Sequence, residues 1–583
     1  MKYFSLNRFR AVYLPVLIAA VVVRLGVFLE ILDSPLRSYS FVVGLDMQVF
    51  MTLGELFHRG GCQFSFFNAL VALCYVLNGL QHWPEAVIAV QMLSGVGAAL
   101  MVAWLSLHLS GRKLVGLIAG MIAALYAPKL VFESVTLRES VYLFLALTSL
   151  VVLLKFRNWN KTWYPILTGG ALILPAFSRF PAILWTVGGI LWGVMRLRKK
   201  RSSKIKSKLF RAGVGCLIPV VFILFINIIN GGSYNPFPYS MNLFRVQMGI
   251  TSSENISQMN PSDKPVVCRA YGHEILRRLK RSAGYFVDIF KPYEICNNIN
   301  YYFMKQHLST LKYMPGPLLV APLALTGMIL MMLSGKWWRR KELVLFVYVI
   351  CFAIPVAAFV PLGRYRLIMF PFFCFFSAWV FDYVYRAFRR KGAIAGSIRL
   401  TVAAASFTLI SIVVWPGSIP LRASDYIAYA KAAEIQAVGL TPLAAEYYHK
   451  AAQLEPDSGA ALINMGRVML AQGRFPEAEV FTRRAYSQDP GNFGAAMFYV
   501  SSLLALGKTV EAENIIDGMS IPADVSGRLT YYYNLGECKM LSGKNSEALN
   551  AYRNALVNAP AAMRKVIDQR IEMIKSRSSA VPD

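Results

Sequence analysis

Acidic side chains are scarce, and unevenly so. The 583 residues hold 31 Asp and Glu against 61 Lys and Arg, a net charge of +30. From Ala423 onward the two kinds nearly balance, at 17 acidic against 16 basic, so the whole excess belongs to the preceding part. There the basic residues stand between apolar runs. A nucleic-acid binder would gather them on a solvated surface, and that class is excluded. Charged residues make up only 16% of the chain, hydrophobic ones 56%, and the mean hydropathy is +0.46. Such a composition is too apolar for a soluble protein of this length. The eight cysteines lack CxxC or His/Cys ligand spacing, so no zinc site is implied; the sequence shows no metal-ligand cluster, and no cofactor is expected. Cys268 and Cys296 share one long loop, where a disulfide and two free thiols are equally open readings. After the basic start at Lys2, Arg8 and Arg10 no small-residue cleavage site follows. The apolar run continues past Arg24 to Leu32, which predicts an uncleaved anchor.

What is present is a series of long apolar runs. A spanning helix needs roughly 20 apolar residues. Candidates lie near 11–32, 85–109, 114–132, 139–155, 163–178, 180–195, 212–229, 316–334, 343–361, 365–385 and 399–416, about eleven in all. The loops at 112–113, 155–161, 196–211, 336–341 and 386–391 are basic, and 196–211 alone holds nine Lys and Arg with no acid. The positive-inside rule puts these loops and the N-terminus in the cytoplasm. The other face then receives 33–84, 133–138, the 178–180 turn, the 230–315 loop, 361–364 and everything after 416. Phe64–Leu80 is read as an interfacial or re-entrant helix, because a further span there would invert every later loop. The expected organisation is an all-α polytopic membrane domain over 1–416 and a second domain over 423–580.

The second domain repeats. Gly439, Gly473, Gly507 and Gly543 are spaced 34, 34 and 36, and Ala444, Ala478, Ala512 and Ala548 keep the same spacing. Each unit reads as helix, glycine turn, and a second helix with a small residue at the close contact. That is the tetratricopeptide period, with about four repeats and a closing helix near 561–577. A solenoid of this kind binds a protein partner or packs on its own membrane part.

Polar residues in short external segments are the candidates for chemistry. Asp46 follows the first span. Glu133 and Glu139 bracket Ser134–Arg138 between two spans. Arg179 lies in a proline-flanked turn, and Arg364-Tyr365-Arg366 open a late span. An acid there is hydrated, paired or functional. The arginines serve as interfacial anchors or as phosphate ligands.

Taken in order, these landmarks resemble an integral-membrane glycosyltransferase of the GT-C class, in its protein-mannosyltransferase and aminoarabinose-transferase branch. The resemblance rests on Asp46 with Gly54-Glu55-Leu56-Phe57, on Val90-Gln91-Met92-Leu93-Ser94-Gly95, and on Tyr126-Ala127-Pro128 through Arg138-Glu139. Gly363-Arg364-Tyr365-Arg366 with Pro371 completes it, and Ser178-Arg179-Phe180-Pro181 adds a turn. Many members carry paired acids where this chain has Asp46 followed by Met47. The resemblance implies an inverting transfer of a sugar from a polyprenyl-phosphate donor to a protein, lipid or glycan acceptor. Asp46 would be the base, with Glu139 orienting an arginine or the acceptor. Arg364, Arg366 and Arg179 would hold the donor phosphate, with Glu133 and Arg138 in support. It also implies a bacterial inner membrane, with the repeats outside. Two other readings remain: an O-antigen ligase or polymerase using Arg269, His273 and Arg277, and a transporter or scaffold that displays the repeats.

Overall fold

The computed structural model describes residues 9–58, 66–156, 161–199, 205–229, 281–297, 299–333, 342–358, 363–413, 421–557 and 559–579. These residues are helical throughout their regular structure, and the chain divides into two compact units, Met1–Ile419 and Pro420–Asp583. Arg269, His273, Arg277 and Cys268 lie outside the described residues. Cys296 donates through its Sγ to Asn300 Oδ1 at 3.2 Å.

Where the described residues cover them, the eleven apolar runs fall on helix. Among the described residues five helices are long and apolar enough to cross a membrane: Phe9–Leu32, Pro84–Ser110, Ile205–Asn227, Gly363–Arg389 and Gly392–Ile412. Lys113–Leu125 and Ala127–Glu133, bent by 50° to each other, meet the same length and composition together, as a broken span or a re-entrant loop does. The bend falls where Tyr126 takes an extended backbone ahead of Pro128, which has no amide hydrogen to continue the ladder. The remaining runs form shorter helices, including Glu139–Lys155, Pro317–Leu333 and Leu343–Ala358. The first unit is an integral membrane domain. In the apolar stretch of its Gly363–Arg389 helix 83% of the residues are buried, whereas in that of Gly392–Ile412 only 11% are, and this helix turns apolar side chains outward. A helix clothed in Ile394, Ile398, Leu409 and Ile412 satisfies its own backbone and suits a lipid surround.

Phe64–Leu80 differs from expectation. Helix begins at Phe66 and runs without a break through Pro84 to Ser110. A proline costs one ladder bond but does not stop a helix whose flanking turns are packed. The packing comes from the Asp46–His58 helix: Met51 meets Phe67, Val71, Cys74 and Val87. Gly54 makes the crossing close, since a Cβ there would sit 2.1 Å from Val71 Cγ1.

The second unit is four helix pairs and a closing helix, from Ala423–Ala437 and Pro442–Leu454 to Ala561–Ser579. Ala444, Ala478, Ala512 and Ala548 are completely buried where paired helices touch. Gly473, Gly507 and Gly543 hold φ near +75° at the turns. The first turn departs from this register. Val438 takes the left-handed conformation (φ 57°) one residue before Gly439, with its side chain 94% exposed.

Polar contacts stitch successive repeats. Glu434 accepts from Tyr448 Oη at 3.0 Å and from Arg467 Nη2 at 2.7 Å. The same trio recurs at the far end, where Glu537 accepts from Tyr552 Oη at 2.9 Å and pairs with Arg570 Nε at 2.8 Å. Lys539 reaches Glu513 between the third and fourth repeats at 2.5 Å. Between the second and third, Thr482 and Ser502 share a hydroxyl bond of 2.8 Å above a small cluster of Leu462, Ala485 and Ala495.

Candidate active site

Asp46 and Glu139 each open a helix, where a carboxylate faces the positive end of the backbone dipole. Gly44, at φ 92°, supplies the turn that leads into Asp46. Arg364 opens the most buried span. The fold brings these helix starts together, although Asp46 and Arg364 are 318 residues apart in the chain.

Arg364 Nη1 is ion-paired to Asp46, and its Nη2 donates to Tyr365 Oη at 3.1 Å. Arg179 is ion-paired to Glu139. The ring of Tyr365 receives both guanidinium groups, with Arg179 4.3 Å and Arg364 4.9 Å from its centroid. Arg179 also lies 5.7 Å from the Tyr142 ring. Arg138 donates to the Ser178 carbonyl at 3.4 Å and lies over Phe50, one turn along the helix that Asp46 opens, at 5.3 Å. Burial, with the neighbouring Arg179 second, pushes Arg138 down to about 10. It therefore remains a cation held beside other cations.

Two acids and three arginines leave this cluster with a net charge of about +1, so it can take up one further anion. Arg364 Nε is buried and makes no hydrogen bond. The carboxylate of Asp46 is 37% exposed, against 12% for the Arg364 side chain. The acid is thus the reachable member of the pair. Among the described residues no group of three or more His, Cys, Asp or Glu is placed to hold a metal.

Glu133 and Arg366 are placed elsewhere. Glu133 is fully buried between Arg24 Nε and Lys129 Nζ, each at 2.8 Å. Gly95 lets its carboxylate in, because a Cβ there would lie 2.1 Å from Glu133 Oε1. Arg366 donates to the carbonyls of Tyr293 at 2.7 Å, Lys291 at 3.0 Å and Asp288 at 3.3 Å, and lies 3.8 Å from Glu294. It holds the 288–294 segment and does not face Asp46. The helix itself separates the two arginines, since neighbours two residues apart point about 200° from each other. Arg24, Lys129 and Gln91 were not singled out as site residues from sequence. Isolated charges inside apolar runs were the available signal, because such charges must find partners.

Residues 439–484 match the family model described as "Tetratricopeptide repeat". No curated protein matches the chain. Among solved structures, the chain is similar to the archaeal oligosaccharyltransferase AglB from Archaeoglobus fulgidus, in complex with an inhibitory peptide and a dolichol-phosphate. The identity is 15% over 76% of this chain and 60% of that one, with a TM-score of 0.38. The oligosaccharyltransferase of the same organism in the apo form is 12% identical over 78% of this chain and 60% of that chain, at a TM-score of 0.37. Yeast Tom70 is 14% identical over 76% of this chain and 97% of that chain, at 0.21. The chain spans about 60% of the length of the two oligosaccharyltransferase chains.

Proposed function

We propose that the protein is a membrane glycosyltransferase that moves a sugar from a polyprenyl-phosphate donor to an acceptor hydroxyl. The observation that carries this reading is the pairing of Asp46 with Arg364 beside the Arg179–Glu139 pair. A polyprenyl phosphate sugar is a phosphodiester with one negative charge, which the excess charge of the cluster balances. Donor binding sets the phosphate on the Arg364 fork in place of Asp46. The released carboxylate takes the proton of the acceptor hydroxyl. That oxygen bonds to the anomeric carbon as the carbon–oxygen bond to phosphate breaks, with inversion. The leaving phosphate gains a second negative charge, which Arg364 and Arg179 stabilise more strongly in the transition state than in the bound donor. Glu139 holds Arg179 in place, and the chemistry needs no metal when arginines neutralise the phosphate.

The charge asymmetry of the loops supports a site on the non-cytoplasmic face of a bacterial inner membrane, with the N-terminus inside and the repeats outside. The repeats offer a surface for a protein partner. The test is transfer by the purified full-length chain from a panel of labelled polyprenyl-phosphate sugars to acceptors in membrane extract. The parent should transfer from at least one donor, and Asp46→Asn should abolish transfer while the amount of folded protein stays near that of the parent. Failure with every donor would sink the reading. Near-normal turnover by the variant would remove Asp46 from the mechanism.

A further inference from the structure

Gln91 is completely buried on the helix that begins at Phe66. Its Nε2 donates to two carbonyls of the following turn, Val135 at 2.7 Å and Glu133 at 3.2 Å. That turn ends at Glu139, the residue that holds Arg179. Three further contacts fix the same turn. The Glu133 carboxylate is seated on Arg24 and Lys129, Lys129 Nζ donates to the Gly95 carbonyl at 3.0 Å, and Ser140 Oγ donates to the Phe132 carbonyl at 3.3 Å. From the other side, Thr136 shares a 2.9 Å hydroxyl bond with Ser40, and both residues are buried. Ser40 belongs to the 3-10 helix Pro35–Phe41, which leads through the Gly44 turn to Asp46.

The turn is therefore pinned to the span beneath it and to the segment that carries Asp46. A buried glutamine that spends one amide nitrogen on two turn carbonyls, two residues apart, fixes backbone position, because the NH2 plane must face both oxygens at once. We propose that Gln91 and Thr136 are positioning residues that set Glu139 relative to Asp46, so that Arg179 and Arg364 converge on one phosphate. This rests on the glycosyl-transfer reading above. Neither residue touches donor or acceptor; each acts through the backbone between Glu133 and Glu139.

The experiment compares Gln91→Met, which keeps the volume and loses both donors, with Thr136→Val and Thr136→Ser. Steady-state transfer is measured per folded molecule of full-length protein, alongside amide exchange over 134–138. Gln91→Met should lower kcat by between about ten- and a hundredfold, as expected when reacting groups shift by a fraction of an ångström to one ångström. Its KM for the donor should stay within about twofold, since Arg364 remains in place. Thr136→Val should show a smaller loss in kcat, and Thr136→Ser should restore the parent value because it keeps the hydroxyl. Exchange over 134–138 should rise in the first two variants alone. Unchanged kcat per folded molecule with faster exchange would make the brace a matter of stability and overturn the proposal. Equal kcat in Thr136→Val and Thr136→Ser would do the same where Gln91→Met fails to fold. A parent that transfers no sugar, yet shows the exchange pattern, would instead sink the glycosyl-transfer reading.

Discussion

Replacing Arg364 separates its electrostatic role from its geometric one. The side chain has two terminal nitrogens in use, one on Asp46 and one on Tyr365 Oη at 3.1 Å. Lysine keeps the charge at the end of a long stem but presents one ammonium, so it cannot span two phosphate oxygens in a fixed plane. The difference is about one charge-assisted hydrogen bond, roughly 1.5–3 kcal/mol, or a factor of about 10 to 150. Alanine removes charge and fork together, and losses of about 10²–10³ in kcat are typical when a donor to a developing anion is removed. Arg364→Lys should thus fall between the parent and Arg364→Ala. The deficit should appear in kcat, because in the proposed transfer the donor phosphate gains its second charge only as the sugar leaves. The assay is donor-saturated transfer with each variant, normalised to folded protein. A lysine variant with the parent's kcat and KM would refute the reasoning, because a snorkelling anchor needs only a charge on a flexible stem.

Two other substitutions probe the fold. Glu133→Gln should leave Arg24 and Lys129 uncompensated in the interior and cost about 3–5 kcal/mol; thermal unfolding and yield in detergent should fall far more than turnover per folded molecule, and a variant as stable as the parent would contradict the buried pairing. Val438→Gly should stabilise the repeats by about 0.5–1 kcal/mol, since it relieves a left-handed non-glycine residue with little side-chain contact to lose; a lowered unfolding midpoint for the second unit would count against the strained turn.

Several features were legible before the structure because they are local. Apolar runs of spanning length became helices, and the 34-residue spacing of Gly473 and Gly507 marked turns that hold positive φ. Where the register shifts by a single residue, as at Val438 and Gly439, spacing alone placed the turn on the wrong one of the two. Site membership was less accessible because it depends on which way a short turn faces. Glu133 and Glu139 are six residues apart in one loop, yet the first enters a buried pair with Arg24 and the second reaches Arg179. Arg364 and Arg366 look equivalent in sequence, but helical rotation sends one to Asp46 and the other to the carbonyls of 288–293. That rotation is a rule of geometry, and it could have separated the two arginines in advance. The approach of Asp46 to Arg364 is a tertiary result with no local signature.

The unequal stitching of the repeats makes their seams respond differently to ionic strength. In an array whose stability is a sum of neighbour terms, each joint answers to conditions through its own contacts. Ionic trios reinforce the seams after the first and fourth repeats, and Lys539 reinforces the third. The second seam is joined instead by the Thr482–Ser502 hydroxyl pair, the Tyr486–Tyr499 stack and a cluster of Leu462, Ala485 and Ala495 with Ile463 and Phe481 packed on it. Added salt should therefore loosen the first, third and fourth seams through their ion pairs and leave the apolar contacts of the second largely unchanged.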